Sequence, residues 1–405
     1  MTWLTWLTWL ASALGVLGSS LWIGHLLHLL RHREGAPFLA LLPDDPPEGG
    51  WPALAVVFAA RDESGMVDLA CRSMLGQDYP NLEVIAVDDR SVDGTGAILD
   101  AIGRTEGRLR VVHVDRLPEG WLGKTHALQL ASAATEARWI LFTDGDVVLA
   151  PGALKRAIGF AERELADHVT VGPDVPTESV GERLFLALFG ILFSMNSPIG
   201  RVADMRSKAY AGIGAFNLVR LAAFRAIGGF GHLALSVDDD MRLGQALKFA
   251  GYRPRFLMGR GAVSVRWQVG LGGMIRGLEK NFFAALGFSL GRSAFAAFGI
   301  AAVGIGPFLG LGFGPTWVKI ACGLGVAAIA ATLGGSSRQS GVAWYYAALM
   351  PFATLTLLAS LGRSVSLTLL RRGVVWRGHH YPLGDLKRHV RIRDAWAREV
   401  WKSTR

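Results

Sequence analysis

Four groups of acidic residues in this chain stand where apolar runs stop or amphipathic ones begin. Trp139-Ile-Leu-Phe-Thr leads into Asp144-Gly-Asp146, two carboxylates separated by one glycine. Asp62 and Glu63 follow the run that starts at Leu54, Asp88 and Asp89 follow Leu82–Val87, and Asp238, Asp239 and Asp240 precede an amphipathic stretch. β-prone runs that stop at acids read as buried strands ending on the edge where open α/β sheets bind their ligands. Carboxylates set side by side repel, and a hard divalent cation relieves them, Mg²⁺ being favoured where diphosphate oxygens complete its shell. Each group taken alone also reads as a turn or a helix cap. Their recurrence at successive strand ends suits a cation together with a sugar nucleotide.

The elements that must position these acids alternate. Leu54–Ala60, Leu82–Val87 and Leu109–Val114 read as strands, as does the run that ends at Asp144. Between them Met66–Leu75, Gly94–Ile102 and Thr125–Ala134 carry helical periodicity. Strand and helix in alternation is the pattern of an α/β domain with a mainly parallel sheet. Neither a Gly-x-x-x-x-Gly-Lys-Ser/Thr loop nor a Gly-x-Gly-x-x-Gly after the first strand is present, so the familiar phosphate and dinucleotide loops are excluded. Lys124, just after Trp121-Leu-Gly, stands at a loop-to-helix junction where its ammonium and the helix N-terminus could both meet phosphate; the alternative is a solvated lysine.

At 405 residues more than one module is expected. The hydrophobic share of 51% is concentrated towards the two ends. Leu4–Leu30 holds no Asp, Glu, Lys or Arg and is long enough to span a bilayer. Arg31-His32-Arg33 follows it, which favours a retained anchor over a cleaved signal and puts the following chain in the cytoplasm. From Ser293 to Leu361 only Lys319 and Arg338 are charged. Breaks at Gly314-Pro-Thr and at Gly334–Gly341 suggest three segments. Three spans would leave the C-terminus outside, yet Arg371, Arg372, Arg377, Lys387, Arg388, Arg391 and Arg393 belong inside; a re-entrant or interfacial 293–314 is one resolution. Leu184–Phe193 is expected to be too short to span and to lie in the interface or in a core, and Val269–Leu290 reads as a second amphipathic stretch. Cys71 and Cys322 fall in different modules and suggest neither a disulfide nor a metal cage. The net charge of +9 flanks hydrophobic segments, which points to anionic lipid rather than nucleic acid.

Five motifs in order, Ala59-Ala-Arg-Asp-Glu-Ser, Val87-Asp-Asp-Arg-Ser-Val-Asp-Gly-Thr, Gly123-Lys-Thr-His-Ala-Leu, Thr143-Asp-Gly-Asp and Asp239-Asp-Met-Arg-Leu-Gly, resemble the family-2 inverting glycosyltransferases. The resemblance implies a GT-A nucleotide-diphospho-sugar transferase domain. With the apolar flanks and a tail Val375-Trp-Arg-Gly-His-His-Tyr, it looks like the membrane branch that glycosylates lipids or polyprenols. It implies that Arg61, Glu63, Asp88 and Asp89 hold the nucleoside, that Lys124 and Asp144 also face the nucleotide sugar, and that Asp146, with Asp144, binds Mg²⁺ or Mn²⁺. Asp240 falls at the general base and Asp239 at the family's usual glutamate, an assignment that could slip by one among three acids. Arg266-Trp267 matches the end of the processive members' Gln-x-x-Arg-Trp, with Val263 in place of the glutamine, and is assigned to the acceptor or diphosphate side; a plain interfacial anchor is the alternative. Ala211-Gly-Ile-Gly-Ala-Phe-Asn resembles the loop that shapes the acceptor side.

The expected organisation is an anchor at 1–33, a cytoplasmic catalytic domain at 51–262, an interfacial segment at 263–292, two or three spans within 293–370 and a basic tail at 371–405. The expected protein is multi-pass in the cell membrane, takes a nucleotide-diphosphate sugar and a lipid acceptor, and moves one sugar with inversion. A processive polysaccharide synthase and a non-catalytic sugar-nucleotide-binding membrane protein are the alternatives.

Overall fold

The computed structural model describes residues 2–31, 36–196 and 198–404; His32 and Arg33 of the expected charged flank lie outside the described residues. The chain forms two compact units. The first gathers Met1–Gly35, Thr177–Pro198 and Gln268–Val374; the second gathers Ala36–Pro176, Ile199–Trp267 and Val375–Arg405.

The second unit is built on a seven-stranded sheet. Its strands are β1 (Leu54–Ala60), β2 (Leu82–Asp89), β3 (Leu109–Val114), β4 (Trp139–Asp144), β6 (His168–Gly172), β7 (Asn217–Arg220) and β8 (Pro254–Met258), in the order β3-β2-β1-β4-β7-β6-β8. A two-stranded sheet pairs β5 (Val147–Leu149) antiparallel with β9 (Val263–Val265). In the large sheet β7 alone runs against its neighbours. The central strands read as near-continuous apolar runs because both faces are covered. Along β1, Leu54, Val56, Phe58 and Ala60 meet Val67, Ala70, Met74 and Leu99 on one side. Ala55 and Val57 meet Ala127, Leu128 and Ala131 on the other. That alternation is the period of two of a β-strand, and it fixes which way each strand's last side chains point.

The first unit is helical. Helices at Thr5–Arg31, Val180–Arg201, Thr316–Gly335 and Trp344–Leu370 are long and apolar enough to cross a membrane. Leu290–Gly304 and Gly306–Phe313 form a pair bent by 55° at Ile305. Pro307, in the first turn of the second helix, cannot donate back into the first, which accounts for the bend. Three sequence expectations change here. Leu184–Phe193 sits within a 17-residue helix, Val180–Asn196, opened by a capping box in which Glu182 Oε2 accepts from Glu178 and Ser179 N–H while Ser179 Oγ accepts from Glu182 N–H. It therefore reaches spanning length, because the polar cap residues outside the apolar run are also helical. The expected break at Gly334–Gly341 is also shifted, since the helix from Thr316 continues to Ser340. Val269–Leu290 forms two short helices rather than one amphipathic one, and Glu279 at their junction accepts from Arg363 (3.0 Å) and Arg371 (2.6 Å). Cys71 and Cys322 are free and buried.

One buried titratable group couples the sheet to pH. His168, fully enclosed at the start of β6, bonds through Nε2 to Asn217 (3.0 Å) and Thr170 (3.1 Å). Burial lowers it to about 4, the Asn217 contact opposing only in part. The unfolded chain binds its proton near 6.5, so this stabilisation is complete above that pH and is lost as pH falls towards 4. The thermal midpoint is expected to drop between pH 7 and pH 5 by the equivalent of about 2 kcal/mol from this group. His168→Gln should flatten the profile; an unchanged slope would show that the acid sensitivity lies elsewhere.

Candidate active site

Strand register brings the acids together. Ala60 lies opposite Asp88 on β2, and Ala59 lies opposite Asp144 on β4. The carboxyl end of β1 is therefore flanked by Asp88 and Asp89 on one side and by Asp144 on the other, and its own continuation supplies Arg61, Asp62 and Glu63.

Lys124 ties this edge to a helix on the far side of the sheet order. Its Nζ lies 2.6 Å from Asp144 Oδ1 and 3.8 Å from Asp239 Oδ2, with a fifth of the side chain exposed. Burial alone would push the ammonium down; Asp144, Asp239 and Asp240 together outweigh it and hold the group above the ordinary lysine range. Lys124 is thus a partly buried cation among acids rather than a fully solvated lysine. Asp146, two residues beyond Asp144, is raised to about 7, first by burial and then by the Asp144 and Glu63 carboxylates.

The three consecutive aspartates have three different environments. Asp238 accepts from Arg242 Nε (2.7 Å) and from Arg393 Nη1 (3.3 Å), and so is committed to a clamp. Asp239 is buried and faces Lys124. Asp240 takes the Gly214 N–H on Oδ2 and the Met241 N–H on Oδ1, both at 2.7 Å. Burial raises the Asp240 carboxyl, with Lys124 and these two N–H groups pulling it back. The loop Ala211-Gly-Ile-Gly is placed for a reason the sequence reading did not give. A Cβ on Gly212 would overlap the Asp240 carbonyl, so its glycine lets the loop press on the helix Asp239–Phe249 and deliver the Gly214 N–H.

At the other end Asp88 and Asp89 are buried and already partnered. Asp88 accepts from the Ser91 N–H (3.2 Å) and meets His113 Nδ1 (3.0 Å), whose Nε2 meets Asp100 (3.0 Å). Asp89 takes a two-pronged contact from Arg90, at 2.8 and 3.1 Å, and lies against the start of the helix Gly123–Ala133 so closely that any Cβ on Gly123 would overlap it. Arg61 Nη1 stands 4.0 Å from Asp89, and its buried Nε, 4.0 Å from Asp62, has no hydrogen-bond partner among the described residues. Glu63 is bonded by Arg377 from the C-terminal segment. Arg266 and Trp267 follow β9, whose last residue Val265 pairs with Val147, the residue after Asp146.

Residues 55–228 match the model of Glycosyl transferase family 2. The chain carries a family-2 glycosyltransferase domain. It is 26% identical over 226 residues to a beta-monoglucosyldiacylglycerol synthase of Synechocystis sp., an alignment covering 54% of this chain and 45% of the relative. A protein of the same description from Trichormus variabilis is 24% identical, with 48% and 41% covered. The chain thus spans less than half the length of these curated relatives. In fold it is similar to a mannosyltransferase of Pyrobaculum calidifontis solved with GDP-Man and Mn²⁺, at a TM-score of 0.53 and 18% identity over 89% of this chain and 99% of that one.

Within the family-2 domain two carboxylates, Asp144 and Asp146, offer oxygen ligands from one turn. The upward shift of Asp146 under two like charges is what a divalent cation would relieve, so the residues fit such an ion. Among the described residues no three His, Cys, Asp or Glu side chains form a preformed cage, so ligand oxygens would have to complete the shell. Sequence reasoning gave no site role to Arg90, His113 or Tyr381, and Arg377 and Arg393 entered it only as tail charges. No local pattern marks these residues, because their partners lie up to 314 positions away in the chain.

Lys124→Met should leave Asp144, Asp239 and Asp240 uncompensated. Since the group is partly exposed, the loss of stability is expected to be on the order of 2–3 kcal/mol, below that of a fully buried pair. A thermal midpoint equal to wild type would show that the acids do not depend on it.

Proposed function

We propose that this protein is a membrane-bound inverting glycosyltransferase that moves one sugar from a nucleotide-diphosphate donor to a lipid hydroxyl. The observation that carries the reading is the convergence of Asp144, Asp146, Lys124, Asp239 and Asp240 on one sheet edge. In this reading Asp144 and Asp146 hold Mg²⁺ or Mn²⁺, which supplies charge neutralisation for the leaving diphosphate. Lys124 screens the acids from one another and adds positive charge beside the phosphates. Asp240, raised by burial and held by two backbone N–H groups, takes the acceptor proton on an oxygen that keeps a free lone pair. Arg61, whose buried Nε makes no hydrogen bond among the described residues, is available to the donor. Arg266, next after the Val265–Val147 pair, is assigned to the diphosphate or acceptor side.

The lipid acceptor is supported by the relatives named as beta-monoglucosyldiacylglycerol synthases and by the four apolar helices among the described residues. Chain connectivity also bears on topology. The second unit is assembled from three stretches, 36–176, 199–267 and 375–405, and one compact polar body occupies one side of a membrane. Every excursion of the chain between those stretches must then return to the side it left. Val180–Asn196 dips and comes back despite its length, and 268–374 crosses an even number of times. Thr316–Gly335 and Trp344–Leu370 supply two crossings, and the bent pair at Leu290–Phe313 is re-entrant. With Thr5–Arg31 as a third crossing, the second unit and the basic tail share the cytoplasmic side.

Asp146→Asn is expected to abolish metal-dependent donor turnover. Asp240→Asn should cut lipid glycosylation at least about 100-fold while leaving donor affinity near wild type, measured with radiolabelled sugar nucleotides and lipid chromatography. Retention of most of the transfer rate in Asp240→Asn would remove that residue from the base role. A single added sugar is expected, and a ladder of products would favour a synthase. For topology, reporters after Trp267 and after Arg405 should be accessible from the same face; opposite faces would sink the even-crossing arrangement.

A further inference from the structure

Among the described residues six other than glycine hold a positive φ, and three of them border one patch of the second unit: Asp62 (54°), Arg90 (61°) and Arg377 (49°). The left-handed region costs such residues on the order of 1 kcal/mol or more, and residues so held gather where ligands are gripped. Asp62 precedes Glu63 and lies 4.0 Å from Arg61. Arg90 grips Asp89, and Arg377 grips Glu63.

Arg377 and Gly378 form the two-residue turn of a hairpin, Gly373–Trp376 with His379–Pro382. Both turn residues have positive φ, 49° and 75°, the geometry for which Asn-Gly is the favoured sequence. An arginine in the first position strains the turn, and what it gains is the contact with Glu63. Behind the turn Tyr381 is buried; the Gly123 N–H donates to its hydroxyl, and Asp89, Arg90 and Arg61 are its charged neighbours. His379 is exposed, packs its ring 4.6 Å from that of Tyr381 and shares the same three charged neighbours. The helix that follows, Leu383–Ser403, fixes the hairpin's place. Its Arg393, 2% exposed, bonds Ser236 (3.2 Å) and Asp238 (3.3 Å), and His389 meets Ser236 at 3.2 Å.

We propose that the C-terminal hairpin is the outer wall of the nucleoside half of the donor site, with Arg377 orienting Glu63 and His379 offering a ring face to the base. Arg90 and Arg377 are each neutralised by a carboxylate, so this patch presents lone pairs and ring faces suited to N–H, O–H and base surfaces rather than to phosphate. Phosphate belongs with Lys124, Asp144 and Asp146. The inference rests on the donor being a nucleotide-diphosphate sugar.

The test is calorimetric titration of the full-length protein in detergent with UDP, GDP, ADP, CDP and dTDP, and separately with inorganic diphosphate, all with Mn²⁺. Arg377→Asn supplies the residue the turn favours, so its thermal midpoint should equal or exceed wild type. Its affinity for whichever nucleoside diphosphate binds should nonetheless fall about tenfold, the loss expected from one charge-assisted contact. Inorganic diphosphate should bind within about twofold of wild type. His379→Ala should weaken the nucleoside diphosphate in the same direction, and Arg398→Gln, exposed on the following helix, should change neither. Arg377→Asn binding the nucleoside diphosphate as tightly as wild type overturns the proposal, as does an equal loss for inorganic diphosphate, which would make the hairpin a phosphate grip. A wild-type protein that binds none of the five nucleotides overturns the donor reading and the hairpin's role with it.

Discussion

A positive charge among carboxylates is the constraint on which this catalytic unit depends. A mainly parallel sheet ends its strands on one edge, and here those ends supply Asp88, Asp89 and Asp144, with Asp146 just beyond. The helix Asp239–Phe249 brings Asp239 and Asp240 to the same place. So many acids cannot share a half-buried edge unless cations stand among them, because like charges in low dielectric repel by several kcal/mol. Lys124 answers for Asp144, Asp239 and Asp240; Arg90 answers for Asp89; and Asp146 is left raised to about 7 with Lys124 only partly offsetting its neighbours. Asp146 is the acid whose like-charged neighbours the proposed metal would relieve.

The C-terminal segment belongs to the same electrostatic scheme. Its arginines look in the sequence like a basic tail facing lipid. In the fold Arg377 is spent on Glu63 and Arg393 on Asp238, while Arg371 in the helical unit is spent on Glu279. Arg393 is buried, and removing it would leave Asp238 with Arg242 as its remaining cation at the start of the helix that carries Asp239 and Asp240. The tail therefore reaches both ends of the sheet edge, with Arg377 at the first strand and Arg393 beside the three aspartates.

How much of this was legible follows from how local each signal is. The strands and the acids that end them could be read because a buried strand and its terminal residues are contiguous, so Asp144 and Asp146 announce themselves within eight residues of Trp139. The helix Gly123–Ala133 and Lys124 at its start were legible for the same reason. The separate tasks of Asp238, Asp239 and Asp240 were not, because adjacent residues on a helix point in different directions and only the packing partners distinguish them. The glycines of Ala211-Gly-Ile-Gly were visible, but what presses on them was not. Helix length misled at Leu184–Phe193, where hydropathy stops before the helix does.

The sequence posed a conflict between an odd number of C-terminal spans and a basic tail that belongs inside. The proposed even-crossing arrangement meets both without adjusting the charge rule. A chain that contributes 36–176, 199–267 and 375–405 to one compact body has its topology constrained by that body, whatever the hydropathy of the helices between. In the proposed arrangement a helix such as Val180–Asn196 is apolar enough to cross and still returns, because the stretches on either side of it, ending at Pro176 and resuming at Ile199, both belong to the second unit. Hydropathy reports which segments lipid can accept, and the folded domain selects among them. In the proposed arrangement the bend at Ile305 and Pro307 lets the Leu290–Phe313 stretch enter a bilayer and return on the same side, which keeps the count even.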